Sequence, residues 1–306
     1  MMKKKWNGYL IAGCIITGII VLWILVGHFY TPYPPTKMSS AKLQAPSAAH
    51  LFGTDKFGRD IFSRVMQGSG TTLLIAALTI MIGAGVGTVV GAVTGYFGGI
   101  VDEVLMRLND ALTAFPSILL ALVIISILGP GKYNVIIALG IVFVPSYAHM
   151  MRTAFAAQRD VNYIISARLM GASNLRILLI HMLPNTLHVL LPALTIGFNN
   201  AVLAEASMSF LGIGVTPPDV SMGYMLSEAQ GMFRSAPWYA LSVGGVIALL
   251  VFGVSLIGEG LHLQVNLTPT IPTSSENQCF TGRHSTKAIA FSLEPGLATF
   301  SILFFF

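Results

Sequence analysis

Long apolar segments recur along this chain and constrain its fold more than any other feature. A helix needs about 20 apolar residues to cross the hydrocarbon core of a bilayer. Only 9% of the residues are charged and 54% are hydrophobic, whereas soluble domains carry about 25% charged residues. The sequence therefore predicts an all-α integral membrane protein with six transmembrane helices, at residues 8–29, 73–97, 111–128, 134–151, 187–211 and 238–257.

The first apolar segment follows three lysines at positions 3–5 and has no small-residue cleavage site. We therefore interpret residues 1–30 as an N-terminal membrane anchor helix and not as a removed signal peptide. Six spans place both chain ends on one side. Lysine and arginine are nearly balanced between the two sides, but the lysines beside the first span and the four arginines of the loop 152–184 favour a cytoplasmic N-terminus.

Several classes of function lack the residues that they need. Cys14 and Cys279 make neither a disulfide framework nor a spaced metal site, and the histidines form no ligand pair, so we expect no metal site. No phosphate-binding Gly-x-x-x-x-Gly-Lys-Ser/Thr loop occurs, no serine and histidine form a catalytic motif, and no basic cluster interleaved with aromatics indicates nucleic-acid binding. We expect a protein that is not an enzyme, binds no cofactor itself and has membrane and peripheral proteins as partners.

Glycines crowd the second apolar segment. Their spacing is close to a small-x-x-x-small pattern, which allows helix backbones to approach closely in lipid. The sequence therefore predicts close helix packing there, at Gly83, Gly85, Gly87, Gly91 and Gly95.

An extracytoplasmic connection, residues 31–70, begins with prolines and ends in an apolar pattern of helical spacing. We predict an amphipathic helix whose apolar residues, among them Ile61 and Val65, lie along the membrane surface while Arg59 and Arg64 face water. The residues 53–60 are typical of turns whose charges satisfy one another. A gate or a docking surface for an external protein is the alternative.

Acidic residues and a proline precede the third span. Asp102, Glu103 and Asp110 are spaced so that Arg107 can pair with them along one helix. Pro116 is expected to kink the span.

The cytoplasmic loop, residues 152–184, can be divided into two short helices. Asp160 is expected to cap a helix over 161–170, and Gly171 to end it in a left-handed conformation. Ser173 is expected to cap a helix over 174–182, which Leu183 and Pro184 end. The two helices predict a compact protrusion that fits a groove in a partner.

Polar residues within the fifth span, Asn199, Asn200 and Glu205, are candidates for a transport pathway. Ionisable and strongly polar side chains at membrane depth face a bundle interior or a cavity by default. Hydrogen bonds between helices that only hold the bundle together are the alternative.

Four segments, taken in order, carry a resemblance to a known family. Residues 53–60 resemble the Gly-Thr-Asp-x-x-Gly-Arg-Asp signature, residues 101–116 an acidic segment, residues 166–184 the "EAA" loop, and residues 205–214 the Ser-Phe-Leu-Gly segment of permease subunits in binding-protein-dependent ABC importers of the oligopeptide, dipeptide and nickel subfamily. The resemblance covers residues 1–261. Ile165 and Ser166 stand where the glutamate and the first alanine of the loop usually lie.

This resemblance implies a permease core of five helices over residues 71–261 and a pathway for peptides or for nickel and metal chelates. The implied partners are a second permease subunit, two cytoplasmic ATPases that use ATP and Mg²⁺, an extracytoplasmic substrate-binding protein and membrane lipid. The implied location is the bacterial cytoplasmic membrane. The residues implied to contact the ATPases are Ala167, Arg168, Gly171, Ala172, Ser173, Leu183 and Pro184.

Two further expectations concern function and the chain end. An ion-coupled secondary transporter is the alternative function, and Glu205 with Asn199 and Asn200 would then be its ion-coupling residues. The short leader and residues 208–217 lean slightly towards nickel-type members. Residues 262–306 depart from the family ending, and we expect a disordered, dispensable tail that a frameshift or an assembly error put in place of the ordinary ending.

Overall fold

A computed structural model describes residues 8–266. This part of the chain is built from helices joined by short connections and one long one, residues 30–60. The helices are α1 (Gly8–Phe29), α2 (Ile61–Phe97), α3 (Gly99–Thr113), α4 (Ser117–Leu128), α5 (Lys132–Gln158), α6 (Asn162–Leu169), α7 (Asn174–Arg176), a π-helical segment (Ile177–Met182), α8 (Leu183–Phe210), α9 (Met222–Gln230) and α10 (Pro237–Asn266).

Five helical stretches of the described chain are long and apolar enough to cross a membrane, and the pair α3 and α4 makes six if it counts as one span. The all-α membrane fold is thereby confirmed. The third span differs from the expectation, because α3 and α4 meet at 88°. Pro116 disfavours helical geometry at the preceding residue, which is the physical reason for the break. The expected kink is confirmed, and α4 by itself, 12 residues, measures only about 18 Å.

The bundle has two distinct ends. The connection end holds residues 30–60, α9 and the start of α10, since Arg64 at the start of α2 bonds to Tyr239. The loop end holds the C-terminal end of α2 and the segment 159–182, since Tyr96 bonds to Asn174. The N-terminal part of α1 packs against the C-terminal part of α10, where a Cβ added at Gly13 would meet Ile257. Both ends of the described chain therefore lie at the loop end, as an even number of crossings requires.

The second span packs closely against α5, as its glycines predict. A Cβ at Gly87, Gly91 or Gly95 would lie within 2.7 Å of α5 atoms, and one at Gly83 would meet Phe143 at 2.7 Å. Gly85 is the exception, with nothing within 4 Å of an added Cβ. Four of the five glycines thus form one seam between α2 and α5.

The expected amphipathic surface helix is wrong. Residues 61–70 are the first turns of α2, which runs for 37 residues without a break. Ile61 and Val65 are buried in the bundle, and Arg64 is buried with them instead of facing water. Arg64 tolerates burial because two carboxylates hold its guanidinium.

Helix α10 extends to Asn266, beyond residue 262, where the tail was expected to start. The remainder of the expected tail, with Cys279, and the lysines at positions 3–5 lie outside the described residues.

Candidate functional site

The loop between α5 and α8 is a tight helical turn at the loop end. The amide of Ala172 donates to the carbonyl of Ala167 at 3.1 Å, and Gly171 has φ 80°. This left-handed conformation ends α6 as expected, since glycine adopts it without strain. Asp160 does not cap the helix: α6 begins at Asn162, no side chain bonds at its N-cap, and the Asp160 carboxylate lies 3.6 Å from Arg159.

The second half of the loop confirms one expectation and corrects another. Ser173 caps α7, because its hydroxyl accepts the amide of Arg176 at 3.4 Å. Leu183 and Pro184, however, do not end the helix. The chain runs through the π-helical segment into α8. The wider π-helical turn before Pro184 accommodates a residue that has no N–H to donate to the preceding turn.

One side of the loop is anchored in the bundle. Its buried apolar residues pack against the ends of α2 and α5, in a cluster formed by Tyr96, Met151, Phe155, Ile164, Ala167, Ile177 and Met182. The opposite side remains apolar and exposed. Leu169 is 84% exposed, Met170 81% and Leu175 66%. We call these three residues the apolar tip.

Tyr96 fixes the loop to α2. Its hydroxyl donates to Oδ1 of Asn174 at 2.9 Å, and the guanidinium of Arg168 lies over its ring at 5.5 Å. A cation over an aromatic face is attracted by the ring quadrupole. Sequence reasoning missed Tyr96, since nothing in the local pattern of the second span links it to a loop more than 70 residues away.

An open depression of about 320 Å³ lies beside the apolar tip, lined by Ala167, Met170, Gly171, Ala172, Arg176, Ile180 and His181. Of the candidate coupling residues, the structure brings Ala167, Gly171 and Ala172 together at this depression, with Arg168 on the neighbouring surface. Ser173 follows at the N-cap of α7. Leu183 and Pro184 lie in the first turn of α8 and do not line the depression.

The acidic residues of α3 pair differently from the expectation. Asp102 accepts two hydrogen bonds from Arg152 of α5, not from Arg107. Of the expected pairs with Arg107, the structure contains the one with Glu103, at 3.6 Å on the exposed surface. A carboxylate oxygen of Asp110 lies 3.2 Å from Nε2 of His149. Pairs within α3 were expected from spacing alone, but the neighbouring α5 offers a better placed guanidinium.

The candidate pathway residues do not converge. Asn199 donates to the Ser255 hydroxyl of α10 at 2.8 Å, and Asn200 is partly buried. Glu205 is fully buried and accepts from the Thr72 hydroxyl of α2 at 2.9 Å. These contacts correspond to the alternative interpretation, in which polar residues join helices.

A cluster of charges is buried at the connection end. Arg64 bonds to Asp55 and to Glu228, each at 2.7 Å. Arg59 bonds to the same two carboxylates at 2.6 and 2.9 Å. The hydroxyl of Tyr239 donates to Glu228 at 3.1 Å. The charges in residues 53–60 therefore do satisfy one another, but sequence reasoning missed Glu228 and Tyr239 because they are distant in the chain.

The neighbouring carboxylates favour the charged form of Arg59. Burial alone lowers the pKa of Arg59, but the hydrogen bond and the charge of Glu228, together with Asp55, outweigh it and raise the pKa above the usual value. Gly53 and Gly58 adopt φ 75° and 71°, which turns the chain so that Asp55 faces both arginines. Within residues 8–266, no three His, Cys, Asp or Glu side chains converge as metal ligands do.

Comparison with known proteins agrees with this geometry. Residues 87–262 match the family described as binding-protein-dependent transport system inner membrane component. The chain is 36% identical to the dipeptide transport system permease protein DppC of Haemophilus influenzae, over 84% of this chain and 90% of that protein. It is 41% identical to the glutathione transport system permease protein GsiD of Escherichia coli, over 71% and 72%.

A solved structure shows the same fold. The MetNI methionine ABC transporter in an inward-facing conformation matches with a TM-score of 0.55 at 22% identity, over 66% of this chain and 96% of that chain. With the family match and the relatives above, this chain belongs to the binding-protein-dependent transport system inner membrane components, as an integral membrane permease of an ABC importer in the peptide subfamily.

Proposed function

We propose that this chain imports peptides across a bacterial cytoplasmic membrane as one of two permease subunits, and that two cytoplasmic ATPases drive it by binding the apolar tip. Relatives named for dipeptides, peptides and glutathione support the peptide class over nickel or metal chelates. An ion-coupled transporter is not favoured, because Asn199 and Glu205 bind different neighbouring helices instead of forming one ion site.

The observation that carries the proposal is an exposed apolar tip on a firmly held loop. Apolar surface gains about 25 cal/mol per Å² when a partner covers it, and Arg168 and Arg176 add positive charge beside the tip. Tyr96 joins the loop to α2, and the buried side of the loop joins it to α5. A movement imposed on the tip is therefore transmitted to helices that cross the membrane.

The partner subunits have separate roles in this proposal. The ATPases bind ATP and Mg²⁺, and this chain binds no cofactor. Their movement favours one arrangement of the bundle over the other, and this difference drives alternating access. The loop end and the N-terminus face the cytoplasm, the connection end faces the substrate-binding protein, and lipid surrounds the spans.

The variant Leu169→Asp tests the docking proposal. Leu169 is 84% exposed, so aspartate leaves the fold unchanged, whereas a charge at a covered contact weakens binding by about 2 kcal/mol or more, roughly 30-fold. We expect the tagged variant, purified in mild detergent, to retain the second permease and lose most of the ATPase. The matched control is Leu51→Asp, at a residue 55% exposed at the connection end, which retains both.

Equal ATPase recovery with Leu169→Asp and with the wild type would contradict docking at the tip. Recovery of neither partner with the wild-type chain would contradict the importer assembly itself.

A further inference from the structure

Glu205 lies in a fully enclosed polar cluster. The side chains of Glu205, Thr72, Ser209 and Ser221 all have no exposed surface. The hydroxyl of Thr72 donates to one carboxylate oxygen at 2.9 Å, and that of Ser209 donates to the other at 2.8 Å. Ser221 contributes a third hydroxyl at the carboxylate. The cluster joins α2, α8 and the start of α9.

Each of these hydroxyls also accepts a backbone amide from the chain that follows α8. Ser209 accepts the amide of Val215 at 3.0 Å. Thr72 accepts that of Met222 at 3.2 Å, and Ser221 accepts that of Tyr224 at 3.2 Å. The connection from α8 to α9 is thus bound to Glu205 through three hydroxyls.

This arrangement needs a carboxylate. A hydroxyl has one proton, and when an amide occupies its acceptor side, that proton must go to an acceptor. Both oxygens of a carboxyl side chain can accept, so Glu205 serves the hydroxyls of Thr72 and Ser209 at once and has lone pairs left for Ser221. A glutamine would present an NH₂ group, which cannot accept, to one of the hydroxyl protons. At least one of the links from a backbone amide through a hydroxyl to residue 205 would then be lost.

The helix that Glu205 holds is also fixed at its other end. Near the C-terminal end of α9, Glu228 bonds to Arg59 and Arg64. Near its start, a Cβ at Gly223 would lie 2.5 Å from the carbonyl oxygen of Ala206. Polar contacts therefore hold helix α9 at both of its ends, in addition to its buried apolar residues Met222, Met225 and Ala229.

We propose that Glu205 is a positioning residue that fixes the connection 211–221 and the start of α9 at the connection end, and that it does not contact the transported molecule. The consequence for uptake rests on the proposed function, whereas the structural role does not. Uptake with Glu205→Gln then has a lower maximal rate and an unchanged half-saturating peptide concentration, because the binding of peptide elsewhere is unaffected.

Hydrogen–deuterium exchange of the purified complex tests the structural role. With Glu205→Gln we expect the amides in residues 211–224 to exchange at least about tenfold faster, while those of α5 stay as in the wild type. The matched control is Asn199→Ala, a polar change in the same helix that leaves exchange in 211–224 unaltered. If Glu205→Gln does not assemble, Thr72→Val replaces it and accelerates exchange at Met222.

Unchanged exchange in residues 211–224, or an equal increase along the whole chain, would overturn the proposal. A shift in the half-saturating peptide concentration with local exchange unaltered would also overturn it, since Glu205 would then contact the peptide. A wild-type complex that imports no peptide would count against the proposed function and leave the exchange result valid.

Discussion

At the scale of residues, the buried charges at the connection end contribute specific, long-range contacts. Arg64 and Asp55 are each 1% exposed and bond directly, and Glu228 comes from a helix far along the chain. Ion pairs of this kind contribute little net stability compared with apolar residues, but losing one partner leaves an uncompensated buried charge.

Arg64→Ala should therefore destabilise the protein strongly. Removing the guanidinium leaves Asp55 and Glu228 facing each other without it, and breaking a buried pair costs about 3–5 kcal/mol. We expect a clearly lower thermal unfolding midpoint for the detergent-purified protein. The matched control, Arg107→Ala, removes an exposed pair, 3.6 Å apart, and changes stability by about 0.5 kcal/mol at most. Equal midpoints for the two variants would refute the assigned role of Arg64.

Residue-level prediction succeeded where the cause was local. Gly171 and Ser173 act within a few residues of themselves, so their sequence patterns were sufficient. Arg64 was misplaced because a helical pattern shows which residues share a face, but not what covers that face. Its partner Glu228 lies 164 positions away in the sequence.

At the scale of elements, the α2–α5 seam is the clearest contact in the bundle. The seam glycines recur every four residues from Gly83 to Gly95, which places them on one helix face. Gly85 falls outside this repeat, and nothing lies within 4 Å of its added Cβ. The sequence predicted close packing for the segment, and the repeat of four distinguishes the seam from the fifth glycine.

Gly91→Val and Gly85→Val form a matched test of this seam. A Cβ at Gly91 would lie 2.6 Å from a backbone oxygen of Ala148 and 2.7 Å from the backbone nitrogen of Arg152. Since backbone atoms cannot move aside without separating the helices, overpacking costs about 1–3 kcal/mol. We expect Gly91→Val to lower the unfolding midpoint and Gly85→Val to leave it near the wild-type value. The reverse order would show that the helices pack differently.

The sequence predicted helix boundaries well where the length of an apolar segment defines them. It predicted them poorly where backbone geometry defines them. The first span matched its helix, Gly8–Phe29. The third span was interrupted at Pro116, and the π-helical segment before Pro184 carried the helix through a position expected to end it. Both differences involve prolines, whose effect depends on the backbone geometry that the preceding residues adopt.

At the scale of the whole molecule, the two ends of the bundle differ in their chemistry. The connection end holds buried ion pairs and α9, and the loop end presents the apolar tip. The sequence predicted the membrane fold and the loop from composition and signatures. It did not predict that Glu205 is enclosed by hydroxyls, because these come from α2, α8 and the start of α9, which only the folded bundle brings together.

The central claim is that ATP hydrolysis by partner subunits drives peptide import through this permease. The most direct test is uptake of a radiolabelled dipeptide by proteoliposomes that contain the complex purified from its native membrane, with its substrate-binding protein and with ATP on the ATPase side. The account predicts uptake that requires ATP and stops when a non-hydrolysable analogue replaces it. Uptake driven by an imposed ion gradient without ATP would contradict it.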